Sequence, residues 1–157
     1  MGTHRKHGIM SGFPMFVVFD LDGTLADGTH REHWITRPVG EKNWRAYFAE
    51  CDQDRPRLPV VATFRALKAA GHDIEIWTGR SAEVADKTAA WLREHGLDGV
   101  PIKSRAEGDH TPDDELKRQW LREASRKPNL VFEDRARVVA MWRDEGIVCC
   151  QVAPGDF

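Results

Sequence analysis

Four apolar residues, Phe16-Val17-Val18-Phe19, run directly into Asp20-Leu21-Asp22-Gly23-Thr24-Leu25. An uninterrupted apolar run of this kind reads as a strand buried on both faces, which requires a sheet covered by helices on both sides. The chain is therefore expected to build around a strand that ends in acid. In an open parallel sheet the ligand crevice lies outside the carboxyl ends of the strands, so Asp20 and Asp22 are expected to emerge there.

The remaining chain supplies such a sheet. A helix is expected over residues 59–70, with Val60, Phe64 and Leu67 on one face and Gly71 as its stop. Residues 72–77 alternate strictly and read as the second strand. It ends in Thr78-Gly79-Arg80-Ser81, where Ser81 is a good N-cap for a helix carrying Val84, Thr88, Trp91 and Leu92 and closed by Gly96. A short strand over residues 100–103 and a polar loop over 104–110 follow. Thr111, Pro112 and Asp114 form a capping-box pattern before a helix whose buried face holds Leu116, Trp120 and Ala124. The fourth strand, residues 129–132, runs into Glu133-Asp134-Arg135. A helix with Val138, Val139 and Trp142 then reaches Gly146, and the last strand covers residues 147–152. Strands alternating with helices imply an α/β fold, a Rossmann-like parallel sheet with helices on both faces.

Residues 26–58 do not read as a simple crossover. Pro38, Gly40 and Pro56 break them, so a small flap or cap of short helices is expected over the first strand's end, with the better helix at residues 44–50. Its Trp34, Trp44, Arg45, Tyr47 and Phe48 suit stacking on a base and forming the flap's own small core about equally. His30 and His33 have metal-site spacing, yet nothing nearby completes a zinc set, and exposed flap histidines are the commoner outcome. Residues 1–14, rich in Gly, His and basic residues, read as a flexible leader, and residues 15–157 as one domain.

At 157 residues, 41% hydrophobic and 31% charged, the chain has material for one sizeable core. A net charge of −2 argues against coating nucleic acid by counterion release and leaves recognition of a single nucleic-acid end open. Neither an eighteen-residue apolar run nor a secretory signal pattern occurs, so a cytoplasmic protein without a membrane segment is expected. Cys149 and Cys150 are adjacent on a strand and point to opposite faces, and Cys51 stands alone, which fits reduced thiols.

Phosphate monoesters hydrolyse extremely slowly unaided, and catalysis needs a nucleophile, a proton for the leaving group and positive charge around the phosphoryl. Asp20 is placed to attack phosphorus and form an aspartyl-phosphate. Gly23 turns the chain so that Asp22 can serve as general acid and then activate water. Asp20, Asp22, Glu133 and Asp134 would repel one another without a cation, and Mg²⁺ suits such oxygen ligands. Thr78, the Gly79 backbone and the helix start at Ser81 form an anion site, with Lys117 reaching inward along its stem and Arg31, Arg80 and Arg105 able to fork onto phosphate oxygens. Taken singly, these motifs are a turn, a helix start, a solvated cap and a surface lysine. Together and in this order they read as one site.

DxDGT, a Thr after the second strand, a helix-borne Lys and an acidic pair after the fourth strand resemble the four motifs of the haloacid dehalogenase superfamily of phosphohydrolases along nearly the whole chain. Within that superfamily the chain is similar to the 3′-phosphatase domain of phage polynucleotide kinase-phosphatase. Arg31 stands at that family's distance from the first motif, residues 105–117 follow its RxxGDxxxDDxxK pattern, residues 138–143 its VVxMWR, and residues 155–157 its terminal GDF. The resemblance implies Asp20 as nucleophile, Asp22 as acid/base, Thr78 and Lys117 as phosphate binders and Asp134 as a metal ligand. It also implies arginines near the active site at Arg31, Arg80 and Arg105, and an acidic pair at Asp113 and Asp114. Two positions depart: Glu133 stands where the family has Asp, and Thr78 where it has Ser. Glu133 is one methylene longer, so its division between metal and Lys117 is left open.

The expected function is thus Mg²⁺-dependent removal of a terminal phosphate, the 3′-phosphate of a DNA or RNA end being favoured. A nucleotidase or small-phosphoester phosphatase would use the same motifs. A non-catalytic end-binding module that recruits a ligase or kinase is the rival from another class. No GxxxxGK[ST] loop occurs, so any kinase function is expected from a separate partner.

Overall fold

The computed structural model describes residues 13–155; the leader expected at residues 1–14 falls mostly outside them, as do the last two residues of the GDF element. Five parallel strands form one sheet in the order β5-β4-β1-β6-β7, built from β1 (Phe16–Phe19), β4 (Asp73–Ser81), β5 (Ile102–Arg105), β6 (Leu130–Glu133) and β7 (Val148–Gln151). A separate antiparallel pair, β2 (Ala26–Asp27) and β3 (Arg55–Pro56), closes the base of the flap. The helices are α1 (Trp44–Ala49) in the flap, then α2 (Leu58–Ala69), α3 (Ala85–Glu94), α4 (Asp113–Glu123) and α5 (Ala136–Asp144).

β1 is central and buried at every residue. Its alternation divides the core: Phe16 and Val18 pack with Leu116, Trp120, Val138 and Trp142 of α4 and α5, whereas Val17 and Phe19 pack with Val61, Phe64 and Trp91 of α2 and α3. The same alternation aims the next side chains, so Asp20 falls on the α4/α5 side of the sheet. The ladder continues past β1, where the Asp20 N–H donates to Phe132 O at 2.9 Å. From β1 the chain first builds outward to β4 and β5, then returns to β6 on the other side. β1 is therefore the switch point where parallel sheets form their crevice.

Two local expectations are corrected. Thr78, Gly79 and Arg80 do not sit at a helix N-terminus: β4 runs on to Ser81, paired with β5 through a register shift between Thr78 and Ser81. Ser81 does cap, its side chain accepting from Glu83 N, but the cap belongs to a single 3₁₀ turn, Ala82–Val84, ahead of α3. Thr111 likewise does not cap α4. Pro112 holds the cap position without a side-chain bond, the Thr111 carbonyl accepts from Arg105 Nη1 at 2.6 Å, and the Thr111 N–H donates to Asp109. Three acids in the first turn of α4 complement its dipole instead. All three cysteines are free, Cys149 buried and Cys150 exposed on opposite faces. Among the described residues no helix is long and apolar enough to cross a membrane.

Candidate active site

Asp20 stands at the end of the central strand with 5% of its surface exposed. One carboxylate oxygen accepts from Lys117 Nζ at 2.7 Å and the other from the Thr24 hydroxyl at 3.2 Å. Lys117 reaches this point because α4 lies across the Phe16/Val18 face of the sheet. Its ammonium also donates to Glu133 at 2.7 Å and lies 3.6 Å from Asp113. The other Glu133 oxygen accepts from the Asp134 and Arg135 backbone N–H groups. Both oxygens of Glu133 are thus engaged in holding Lys117 and the turn after β6.

Asp20, Glu133 and Asp134 each offer an oxygen within 4.8 Å of the others, the one such group of metal-capable side chains found among the described residues. The two histidines of the flap form no such set; His30 bonds Asp54 and His33 bonds a backbone carbonyl. Gly23 makes room for this cluster: its φ is +81°, and a Cβ there would stand 2.0 Å from Asp134 Oδ2. Burial and the neighbouring Glu133 carboxylate push Asp20 well above the ordinary carboxylate range, Lys117 opposing. Glu133 is raised by its burial, and Asp134 is pushed up to about 6 by burial and the Asp20 charge. Three buried carboxylates lie together here with one ammonium bonded to two of them, an arrangement whose surplus negative charge a divalent cation could offset.

Asp22 belongs to a different set. Its carboxylate accepts from Arg31 Nη2 at 2.6 Å and from Arg80 Nη2 and Nε. Both guanidiniums also bond Asp54, Arg31 through Nε and Nη2 at 2.6 Å and Arg80 at 3.1 Å. Burial opposes the charge on Asp22, yet the Arg80 and Arg31 charges hold it far below the ordinary range. Arg31 and Arg80 are almost fully buried, with their Nη1 groups on Tyr47 O and the Thr88 hydroxyl. They orient Asp22 from behind, and each side chain makes four hydrogen bonds to protein oxygens. Arg105 stands apart, gripping Gly79 O at 2.8 Å and Thr111 O, with Asp113 at 3.5 Å. The Asp113 carboxylate presses so close to Gly79 that a Cβ there would meet it at 2.3 Å. Thr78 is buried, its hydroxyl accepting from the Arg80 N–H.

A recess of about 50 Å³, bounded by Asp20, Asp22, Gly79, Arg105, Asp113 and Asp134 with Phe48 and Arg135 at its rim, opens over these groups. That is roughly two waters' worth of space, the scale of one phosphoryl group. A larger cavity of about 640 Å³ lies by the amino ends of the strands, around His72, Pro101 and Arg126, away from the carboxylates. Sequence reasoning missed Asp54 and Thr24. Asp54 carries no motif, and its partners are 23 and 26 residues away; Thr24 was visible only as part of DxDGT.

A central strand ending in paired aspartates, at the switch point of a five-stranded parallel sheet, defines the class: an α/β phosphatase of the haloacid dehalogenase type. The chain belongs to the family of polynucleotide kinase PNKP phosphatase domains, whose family model matches residues 14–157. It is 31% identical over 138 residues to a protein of Autographa californica nuclear polyhedrosis virus that carries the name bifunctional polynucleotide kinase/RNA ligase, covering 84% of this chain and 18% of that one. In structure it is similar to a chain of the Pnkp1/Rnl/Hen1 RNA repair complex, with a TM-score of 0.77, 28% identity, and 92% of this chain against 44% of that one covered. The class C acid phosphatase of Bacillus anthracis shares the fold, with a TM-score of 0.59, 17% identity and coverage of 92% and 70%. The chain thus spans less than half the length of the first two.

Proposed function

We propose that this chain removes the 3′-phosphate from a nucleic-acid end through an aspartyl-phosphate formed on Asp20, with Mg²⁺ in place. The observation that carries the reading is the setting of Asp20: a buried carboxylate beneath a recess sized for one phosphoryl group, held on both oxygens by Lys117 and Thr24. The all-oxygen set of Asp20, Glu133 and Asp134 suits a hard cation, with Asp20 and Asp134, which line the recess, as its donors and Glu133 engaged with Lys117 and two backbone N–H groups. Bound there, Mg²⁺ would neutralise charge on the transferring phosphoryl.

In the first step an Asp20 oxygen forms a bond to phosphorus as the bond to the 3′ oxygen breaks, and that oxygen takes a proton from Asp22. In the second, water attacks the aspartyl-phosphate, Asp22 takes the water proton, and Asp20 is released with inorganic phosphate. Arg31 and Arg80 favour the ionised Asp22 that the second step requires. A phosphate dianion arriving beside Asp22 works the other way, since a nearby negative charge raises a carboxyl's proton affinity. Lys117 lies between nucleophile and Glu133, where it offsets phosphoryl charge. The names of the viral relative and of the RNA repair complex support a setting in which a kinase and a ligase act on the same ends.

The test compares phosphate release from a 3′-phosphorylated oligonucleotide, its 5′-phosphorylated isomer and mononucleotides, with and without Mg²⁺, for the native protein and Asp20→Asn. Mg²⁺-dependent release from the 3′ end, absent in Asp20→Asn, is expected. A clear preference for mononucleotides would overturn the substrate, and absence of turnover on any phosphoester would favour an end-binding module.

A further inference from the structure

Resting on the 3′-end reading above, we propose that a single-stranded nucleic-acid end lies along a two-part groove that bends over Trp44. The nucleotide bearing the terminal phosphate occupies the first part and its 5′ neighbours the second. The first part is a cavity of about 580 Å³ that opens directly from the catalytic recess, since Phe48, Arg105, Asp113 and Arg135 line both. The second, about 400 Å³, shares Trp44, Arg135 and Arg137 with the first. Trp44 is thus the ridge between the two.

Trp44 is built as a platform. It opens α1, where Asn43 caps the first turn, and it keeps 41% of its surface exposed. Tyr47 meets it edge-on at 5.7 Å and Phe48 lies tilted at 6.1 Å, so the indole is propped from within the flap and open toward the groove. An exposed indole held in this way offers a stacking face that suits any base. Tyr47 takes the opposite role, buried under the Arg31 guanidinium at 4.0 Å, where it belongs to the site's framework.

The charges are graded along the same path. Four carboxylates line the first cavity, and three of them have partners within the protein: Glu83 with Arg45 at 3.2 Å, Asp109 with the Thr111 N–H at 2.8 Å, and Asp113 with Arg105, while Glu107 is exposed. The second cavity is lined by Arg37, Lys42, Arg135 and Arg137 with one carboxylate, Glu32; Arg135 and Arg137 also pair with Asp113 at 4.0 Å and Asp114 at 3.5 Å, which leaves Arg37 and Lys42 as the cations particular to this part. A mixed-charge compartment with ample room for a nucleoside, followed by a basic one, fits a nucleoside followed by backbone phosphates. The few cations involved agree with a chain of net charge −2, which binds an end and does not coat a strand.

The test is a length series of 3′-phosphorylated oligonucleotides, from one to four nucleotides with a common 3′ residue, assayed as kcat/KM with the native protein, Trp44→Ala and Trp44→Phe, thermal unfolding serving as the folding control. In the native protein kcat/KM should rise from one to three nucleotides and then level off. Trp44→Ala should lose roughly tenfold of that gain and Trp44→Phe keep most of it. For the trinucleotide, log(1/KM) against log salt should fall with a slope of about −1.4, the value for two neutralised phosphates on a single strand. A native kcat/KM independent of length, or a length dependence untouched in Trp44→Ala, overturns the groove. If the native protein releases phosphate from none of the series, the 3′-end reading falls by itself. Tryptophan fluorescence quenching by the unphosphorylated trinucleotide then decides the groove: quenching lost in Trp44→Phe supports it, and absence of quenching in the native protein overturns it.

Discussion

Two carboxylate centres lie side by side above β1, and they are opposite in electrical design. Around Asp22 the charges balance: two aspartates, Asp22 and Asp54, face two arginines, Arg31 and Arg80, and every partner is close. Around Asp20 the carboxylates outnumber the cation at their centre: Lys117 bonds Asp20 and Glu133 and lies 3.6 Å from Asp113, and Asp134 joins the same cluster. The first centre is complete as it stands and fixes a side chain in place. The second holds surplus negative charge at the mouth of a small recess, which is a demand for a cation. Buried charge is costly in either case, but only the unbalanced centre gains from binding something.

The difference is broken most directly at the two aspartates that anchor the centres. Asp20→Asn should abolish turnover, by roughly a thousandfold or more if Asp20 is the nucleophile. It should also raise the melting temperature in metal-free buffer, because it removes one of the surplus charges. A variant that loses stability along with activity would show that the Asp20 centre is as balanced as its neighbour. Asp54→Ala makes the opposite change. It leaves two buried guanidiniums facing one carboxylate and should cost about 3–5 kcal/mol in denaturant unfolding. Asp54→Asn keeps the shape and should recover part of that loss. An Asp54→Ala protein of native stability would sink the idea that this centre is held together by charge balance.

How much of this was legible before the structure depends on whether the signal was local. β1 and its acidic end could be read because an apolar run and its flanking DxDGT lie within ten residues, and the alternation of Phe16 to Phe19 already assigned Asp20 to one face. The Thr78–Ser81 stretch could not be placed: its residues suit a helix start, and only pairing with β5 shows that the strand continues. Asp54 was invisible because its significance comes from Arg31 and Arg80, brought to it by separate elements. The flap aromatics were ambiguous for the same reason. Tyr47 and Trp44 stand on one helix with the same composition around them, and burial alone separates a core residue from an exposed one.

The smallest effect is the most discriminating between the centres, and it is a pH dependence. Asp22 is held below its ordinary range, so the stability it contributes is present throughout the neutral range and is lost only in strong acid. Asp20, Glu133 and Asp134 are shifted upward, so the folded state binds protons that the unfolded chain releases. Stability of the metal-free protein should then be greatest near the unfolded carboxylate pKa and fall as pH rises through the folded values, Asp134 at about 6 among them. A loss of roughly 1–3 kcal/mol between pH 5 and 8 is the expected scale. Mg²⁺ requires the deprotonated carboxylates, so its stabilisation should be larger at pH 8 than at pH 5.5. Thermal unfolding across this range, with and without Mg²⁺, measures both slopes. Asp134→Asn isolates the contribution of this carboxylate: it should flatten the metal-free slope and remove most of the Mg²⁺ effect. An unchanged slope in that variant would assign the pH dependence elsewhere and leave the Asp20 centre no more in need of a cation than the Asp22 centre.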